Sequence, residues 1–363
     1  MSPVQNLKMI IKTLDSLLNQ AIQLNASDLH FEPQKNGAVV RIRIDGLLQE
    51  ALKTNKETLV PLISRIKVLS HLDLAEKRLP QDGRIFMEIE GQRVDLRIST
   101  LPTIYGEKAV IRILNQNSLV KSLVEIKMPS LEHAAFCRML AKKHGIILVS
   151  GPTGSGKTTT LYAALQKLNQ TAVNIITIED PVEYSLDGIS QIHVNEKIGM
   201  TFERGLRAIL RQDPDIIMVG EIRDRETARI AITAALTGHL VLSTIHTNDC
   251  ISSISRLVDM GIEPYLIAGA LVGLVSQRLV RKSTATTSGG VSVPPPTACG
   301  RQAIFEVLEI DEELRGLITR AAPKDKLTTS AQARGMRSLL ENGLALCSSG
   351  TVAREELSRV LSE

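Results

Sequence analysis

The stretch Ile146-Ile-Leu-Val-Ser150-Gly151-Pro152-Thr153-Gly154-Ser155-Gly156-Lys157-Thr158-Thr159 runs from an apolar segment through a glycine-rich turn into residues of helical pattern. A short apolar run bounded by Gly and Pro has the length of a buried strand. The glycines let successive backbone N–H groups turn inward, where the entrance of a helix adds its own positive end. Lys157 and Thr158 complete the spacing G-x-x-x-x-G-K-T. In a loop of this kind the amides cradle a β-phosphate, the lysine reaches the β and γ oxygens, and the threonine hydroxyl holds Mg²⁺. Strand, turn and helix agree, so Gly151 to Thr159 are read as a nucleotide phosphate site in an α/β fold.

Downstream of this loop, short apolar strands are expected at Asn174 to Ile178, Asp215 to Val219 and Leu240 to Thr244, within an alternation with helical patterns that starts at Ser130. That alternation predicts a parallel sheet with helices on both faces and ligands at the carboxyl ends of its strands. The run Ile216 to Val219 delivers Glu221 to one such end, in a place more often held by Asp, where it would stand near the metal. The strand ending at Ile178 leads into Glu179-Asp180-Pro181-Val182-Glu183, an acidic cluster able to polarise an attacking water. His239 and His246 bracket the strand Leu240 to Thr244. A histidine at a strand end beside a phosphate loop can sense whether a γ-phosphate is present, the role expected of His246 and, secondarily, of His239.

Upstream, Leu7 to Leu24 has helical spacing, and Ala38 to Ile44 alternates as a strand ending at the Asp45-Gly46 turn. Leu59 to Leu74 reads as a helix, followed by strands at Arg84 to Ile89, Arg93 to Ile98 and Lys108 to Leu114. The expected organisation is an N-terminal α+β domain over 1–114, a linker over 115–128, a nucleotide-binding core over 129–282, a Ser/Thr/Gly/Pro-rich flexible loop over 283–299, and a C-terminal segment with a helical cap over 300–363.

With 363 residues, 43% hydrophobic and 23% charged, the chain has the composition of a soluble globular protein of two or three domains. Aromatic residues are 2% with no Trp, which leaves few platforms for stacking single-stranded bases. The net charge of +4 is dispersed along the sequence. The longest apolar stretch, Tyr265 to Val275, falls short of a bilayer span of about 20 residues, and the N-terminus lacks a signal-peptide pattern, so a cytosolic protein is expected. Cys137, Cys250, Cys299 and Cys347 are far apart, without a CxxC pair, and read as reduced and structural.

Together these residues resemble the secretion ATPase family that powers type II secretion and type IV pilus assembly and retraction. The likeness rests on the loop at Gly151 to Thr158, the acidic box Ile178-Glu-Asp-Pro-Val-Glu-Tyr184, the segment Leu206-Arg-Ala-Ile-Leu-Arg-Gln-Asp-Pro-Asp through Gly220-Glu-Ile-Arg-Asp224, and the histidine box Thr237-Gly-His through His246-Thr-Asn-Asp249. In the N-terminal half, Ala26-Ser-Asp-Leu-His30 and Arg78-Leu-Pro-Gln-Asp-Gly-Arg84 are similar to the family, the second resembling the secretion and pilus-extension branch. The resemblance implies an N-terminal α+β (PAS-like) domain joined to a RecA-like P-loop ATPase domain with a C-terminal helical cap. It implies ATP and Mg²⁺ as ligands, with Thr158 and Glu221 at the metal, Glu183 activating water, and Glu179 and Asp180 supporting the site. It also implies that Arg97 and Arg112 of the first domain, and Arg207, Arg211 and Arg223 of the second, approach the phosphates, and that His239 and His246 form the histidine box.

Further implications are a homo-hexamer, recruitment to the bacterial inner membrane through cytoplasmic parts of secretion or pilus platform proteins, and no nucleic acid. Retraction or conjugation motors of the same superfamily stay open at this point, as does a nucleic-acid-translocating P-loop motor, which clustered Lys and Arg with interleaved aromatics would have favoured. Two departures stand out: the chain starts almost directly at the family's second N-terminal domain, and the place of a four-cysteine zinc motif is taken by Ser283 to Thr297 with Cys299 alone before Gly300-Arg-Gln-Ala-Ile-Phe-Glu-Val307. One cysteine cannot supply the three or four protein ligands of a zinc site. The purified protein is therefore expected to hold no stoichiometric zinc, and one zinc per chain by elemental analysis would contradict this reading.

Overall fold

The computed structural model describes residues 3–89, 92–115, 122–283 and 300–362. The described residues fall into two compact units, one within 3–115 and the other over 122–283 and 301–362. Cys299 and the loop residues from 284 onward lie outside the described residues, as do 116–121 of the expected linker.

The N-terminal unit contains α1 (Pro3–Gln23), β1 (Asp28–Gln34), β2 (Gly37–Ile44), β3 (Leu47–Thr54), α2 (Lys56–Leu69), β4 (Gln81–Ile89), β5 (Gln92–Thr103) and β6 (Gly106–Asn115). The strands form one antiparallel sheet in the order β3-β2-β1-β6-β5-β4. Helix α1 turns Ile10, Leu14, Leu17, Leu18 and Ala21 inward at three- and four-residue spacing, into a core with Leu29, Phe31, Val40 and Ile42 of the sheet. Helix α2 stops five residues before the expected Leu74. Ser70 caps it with its backbone N–H on Ile66 O, and His71 adopts φ +55°, which turns the chain out of the helix. Strands β1 and β3 carry no clean alternation: β1 holds His30 and Pro33, and β3 is an edge strand with half its residues exposed.

On the other face of this sheet the register aligns Arg84, Arg97, Arg112, Asp28 and Arg43 in one row across five strands. Asp95 accepts from Arg84 Nε at 2.7 Å, and Asp28 accepts from Arg112 Nε at 3.1 Å with Arg43 Nε 3.6 Å away. Four guanidinium groups thus share a row with two carboxylates beside them, although like charges placed opposite one another destabilise a sheet.

The second unit contains α3 (Ser130–Leu140), β7 (Gly145–Ser150), α4 (Lys157–Leu168), β8 (Ile175–Glu179), β9 (Ser190–His193), α5 (Phe202–Ile209), β10 (Ile216–Val219), α6 (Arg225–Leu236), β11 (Leu240–Ile245), α7 (Cys250–Asp259), α8 (Pro264–Ala270), β12 (Leu271–Arg281), β13 (Arg301–Glu309), α9 (Glu312–Thr319), α10 (Lys324–Ala333), α11 (Leu339–Ser348) and α12 (Arg354–Leu361). Its sheet has the order β13-β12-β7-β11-β10-β8-β9, parallel except for β13, which runs antiparallel to β12. Every residue of β7 is buried, as expected of a central parallel strand. The apolar stretch Tyr265 to Val275 does not form one element. It divides into α8 and the start of β12 with no loop between, and Gly273 lets β12 pass so close to Met139 that a Cβ would lie 2.1 Å from its sulfur.

Helix α12 is tied to β12 by Glu356, whose side chain is 6% exposed. Its carboxylate accepts from the Arg281 backbone N–H at 3.1 Å and from Arg359 Nε at 3.0 Å, and pairs with the Arg281 guanidinium. Burial opposes its ionisation, but these bonds outweigh burial and hold its pKa at about 2. A depressed carboxyl pKa contributes stability that is complete above the ordinary value of 4.5 and is lost as pH falls toward 2. Glu356→Gln is expected to cost about 1–2 kcal/mol at pH 7, after allowance for solvent screening. In urea titrations that deficit should shrink between pH 4.5 and 2; a deficit unchanged at low pH would assign Glu356 to packing rather than charge.

Candidate nucleotide site

The loop leaving β7 is built on left-handed glycines, with φ +147° at Gly151, +80° at Gly154 and +88° at Gly156. Two of them are also required by space. A Cβ on Gly151 would lie 2.5 Å from Gln277 O, and one on Gly156 would lie 2.7 Å from Gln277 Nε2. Ser155 Oγ is buried without a hydrogen-bond partner among the described residues, a polar atom left for a ligand at the entrance of α4. Lys157, 8% exposed, folds back to donate to Gly151 O at 2.7 Å and Pro152 O at 3.0 Å. Burial lowers its pKa to about 8, with Glu221 opposing the shift and Arg278 reinforcing it. A phosphate would replace the two carbonyls as the partner of this ammonium. Thr158 is exposed at the second position of the helix, and Pro152 and Thr153 are exposed on the loop.

Two strands away, Gly220 follows β10 and is fixed from both sides. Its N–H donates to Ile178 O at 2.8 Å, and its carbonyl accepts from Thr244 Oγ1 at 2.7 Å. Glu221 is thereby held at the carboxyl end of the sheet, with Arg223 paired to one carboxylate oxygen and His246 Nε2 3.4 Å from the other. Burial lowers the His246 pKa below 6.5, Lys157 adds to the effect and Glu221 opposes it, so the imidazole is neutral at pH 7. Glu221 thus acts on both Lys157 and His246, and Lys157 acts on His246, so the three side chains form one cluster. The residues fit a nucleotide with Mg²⁺: Thr158 and Glu221 would hold the ion. Among the described residues there is no group of three or more His, Cys, Asp or Glu that could hold a metal ion by itself.

The acidic box divides in two. Glu179 is 3% exposed and its oxygens accept from Tyr162 Oη, from Thr177 Oγ1 at 2.6 Å and from Gln191 Nε2 at 3.1 Å, which makes it the hub of a buried network. Burial and the Glu179 carboxylate push the Tyr162 hydroxyl far above its usual pKa, so it stays a donor. Glu183 is half-buried, and its backbone N–H lies 3.3 Å from the same hydroxyl. Asp180 is exposed. Tyr162 therefore joins the phosphate-loop helix to the acidic box, a role that its place in the helical pattern gave no sign of.

Arg207 pairs with Glu226 and, at 3.2 Å, with Glu203, and Arg211 Nη1 donates to Arg207 O at 2.7 Å; both are exposed, Arg207 on α5 and Arg211 in the turn after it. Arg97 and Arg112 belong to the charged row of the N-terminal unit. His239 stands immediately before the amino end of β11, where its backbone carbonyl accepts from Gly145 N–H and the next residue, Leu240, is paired with Gly145 in the register. The phosphate loop follows the carboxyl ends of the same parallel strands, roughly 20 Å along the sheet at about 3.3 Å per residue. The structure thus brings His246 to the phosphate loop of its own chain and does not bring His239 there. A histidine on each side of a strand cannot share one end of it.

A parallel sheet with a glycine-backed phosphate loop after its central strand, and an acid at a neighbouring carboxyl end, defines a RecA-like P-loop protein. The family profile described as Type II/IV secretion system protein matches residues 4–359. The chain is 48% identical to type II secretion system protein HxcR of Pseudomonas aeruginosa, over 97% of this chain and 77% of that protein. It is 44% identical to type II secretion system ATPase E of Vibrio cholerae, over 98% and 76%. Among solved structures it resembles the pilus retraction motor PilT with bound ADP, at 28% identity and a TM-score of 0.68, covering 95% of this chain and 96% of that one. The ATPase DotB of Legionella pneumophila shares the fold at a TM-score of 0.77. The chain belongs to the type II/IV secretion system protein family.

The Tyr162 network gives a direct test. Tyr162→Phe leaves the buried Glu179 carboxylate short of a donor, which is expected to destabilise by about 1–3 kcal/mol. Equal denaturation midpoints for the variant and the parent protein would show that the hydroxyl does not hold the acidic box to α4.

Proposed function

We propose that this chain is an ATPase subunit of a hexameric motor that drives assembly of a type II secretion pseudopilus or a type IV pilus from the cytoplasmic side of the inner membrane. The observation that carries the reading is the cluster of Lys157, Glu221 and His246 around a phosphate loop whose glycines are required by space. The identities of 44–48% with proteins named for type II secretion favour the secretion and extension branch. Among the described residues no helix is long and apolar enough to cross a membrane, so contact with it would run through partner proteins.

In this reading Thr158 and Glu221 hold Mg²⁺, which neutralises charge on the β and γ oxygens. Lys157 leaves the carbonyls of Gly151 and Pro152 for the phosphate. Glu183, half-buried at the end of β8, takes the proton of the attacking water. His246, neutral and beside Glu221, senses the γ-phosphate, and Arg223 stands by as a charge to be released from Glu221. Arg97 and Arg112 supply further guanidinium charge to the reaction in the assembled motor, with Arg207 and Arg211 as second contributors. What supports the first pair is the row of arginines itself, since a like-charged row costs the sheet stability and calls for a functional reason.

The test is steady-state ATPase kinetics on hexameric preparations. Lys157→Ala should abolish turnover. Glu183→Gln should keep ATP bound and slow hydrolysis by about 10² or more. Arg97→Ala and Arg112→Ala should lower kcat by about 10³ with a smaller change in KM. Wild-type turnover in Lys157→Ala removes the site assignment; wild-type kcat in both arginine variants removes the N-terminal unit from the chemistry and leaves the phosphate loop in place.

A further inference from the structure

Inside β12, beside the carboxyl end of β7, stand Ser276, Gln277 and Arg278, three successive polar residues that are 0%, 2% and 5% exposed. None belongs to the motifs of the phosphate loop, the acidic box or the histidine box. Each grips a different part of the site. Ser276 Oγ is hydrogen-bonded to Ser150 Oγ, at the last residue of β7 before the phosphate loop. Gln277 Oε1 accepts from Thr160 Oγ1 at 2.6 Å in the first turn of α4, while its backbone oxygen and its Nε2 fill the space that side chains at positions 151 and 156 would need. Arg278 reaches elsewhere: Nη2 donates to Asn248 O at 3.1 Å and to Asn248 Oδ1 at 3.3 Å, and Nη1 donates to Gln277 O at 3.1 Å.

Asn248 lies in the short segment between His246 and α7. At its far side that segment is tied to the helix it enters, by Asp249 accepting from Ser252 N–H at 2.6 Å and by Thr247 Oγ1 bonded to Ser253 Oγ at 2.7 Å. Glu306 of β13 accepts from Cys250 N–H at 2.7 Å. Arg278 ties the segment to the strand whose adjacent residue backs the phosphate loop, and on the same strand Ser276 is hydrogen-bonded to Cys250 at the start of α7. A buried guanidinium is costly to desolvate, and an apolar side chain would pack there at least as well. A rigid fork with several donors, however, can hold two acceptors of one residue at a fixed distance.

We propose that Arg278 is a positioning residue for hydrolysis. It fixes the segment 246–249 against the phosphate loop and thereby sets where His246 stands relative to Glu221. Gln277 provides the fixed reference, because it sits directly under the two glycines. The inference rests on the reading of His246 and Glu221 as parts of a hydrolytic site.

A misplacement of about 1 Å by a residue outside the chemistry can cost 10²-fold in rate. Arg278→Gln is therefore expected to lower kcat about tenfold or more while KM for MgATP stays within about threefold. Arg278→Lys keeps the charge but not the fork and should recover only part of the loss. Asn248→Ala, a milder change that removes one of the two acceptors, should lower kcat several-fold, and the double variant Arg278→Gln with Asn248→Ala should be no worse than Arg278→Gln alone. Amide hydrogen exchange of residues 246–250 should accelerate in Arg278→Gln, with the melting temperature recorded alongside.

Wild-type kcat in Arg278→Gln, a loss confined to KM, or additive effects with Asn248→Ala would overturn the proposal. If Arg278→Gln does not fold, Asn248→Ala and Arg278→Lys carry the same kcat-against-KM comparison, and an unchanged kcat in both has the same consequence. If the wild-type chain has no ATPase activity, the functional reading fails by itself. The exchange rates then decide the positioning role, and unaltered exchange at 246–250 sinks it.

Discussion

The contact on which the second unit depends is the approach of β12 to the phosphate loop. Gln277 occupies the volume that any side chain at Gly151 or Gly156 would need, so the loop closes against a residue that comes 126 and 121 positions after those two glycines in the chain. The positive φ angles at both glycines alone would favour glycine on conformational grounds. The packing makes the requirement stricter, because a side chain would have to displace backbone as well as a buried amide. The two ends of the loop, at Gly151 and Gly156, are thus backed by a sheet strand, while Pro152, Thr153 and Gly154 between them face solvent.

Around that contact the site is assembled from strand ends that the sheet order makes neighbours. Strand β11 lies between β7 and β10, so the segment after it stands between the phosphate loop and Glu221. His246 is the residue that this arrangement places against Glu221, and burial together with Lys157 keeps it neutral. A neutral imidazole can donate from one nitrogen and accept at the other, and so can respond to a change of ligand without carrying a charge of its own. The same logic of buried neutrality holds for Tyr162, whose hydroxyl cannot ionise beside Glu179 and so acts as a fixed donor between helix α4 and strand β8.

The N-terminal unit solves a different problem. Its sheet buries one face under α1 and α2 with an aliphatic core, while the other face gathers arginines from four strands. Asp28 sits between Arg112 and Arg43, and Asp95 neutralises Arg84 from two residues along β5, so the row holds together although its guanidinium groups outnumber the carboxylates among them. Periodicity identified β5 and β6 as strands, but nothing in either strand alone shows that Arg97 and Arg112 are cross-strand neighbours. Register across strands is a property of pairing, and the sequence holds it only through the turns.

The features legible along the chain were local ones. The phosphate loop, the acid after β10, the acidic box and the helical cap from Ile310 onward were legible because glycine spacing, apolar runs and helical periodicity are written in consecutive residues. The lengths of α2, β1 and β3 were less legible, since Ser70 and His71 end α2 through backbone geometry and an edge strand needs no alternation. Which polar residues meet was set by the fold. It separated His239 from His246 by the length of a strand, gathered Glu179 into a buried network with Tyr162, and set Gln277 and Arg278 against the two loops of the site. The physical reason is that a buried donor or acceptor must find its partner wherever the fold supplies one, and that partner can be more than a hundred residues away in the chain.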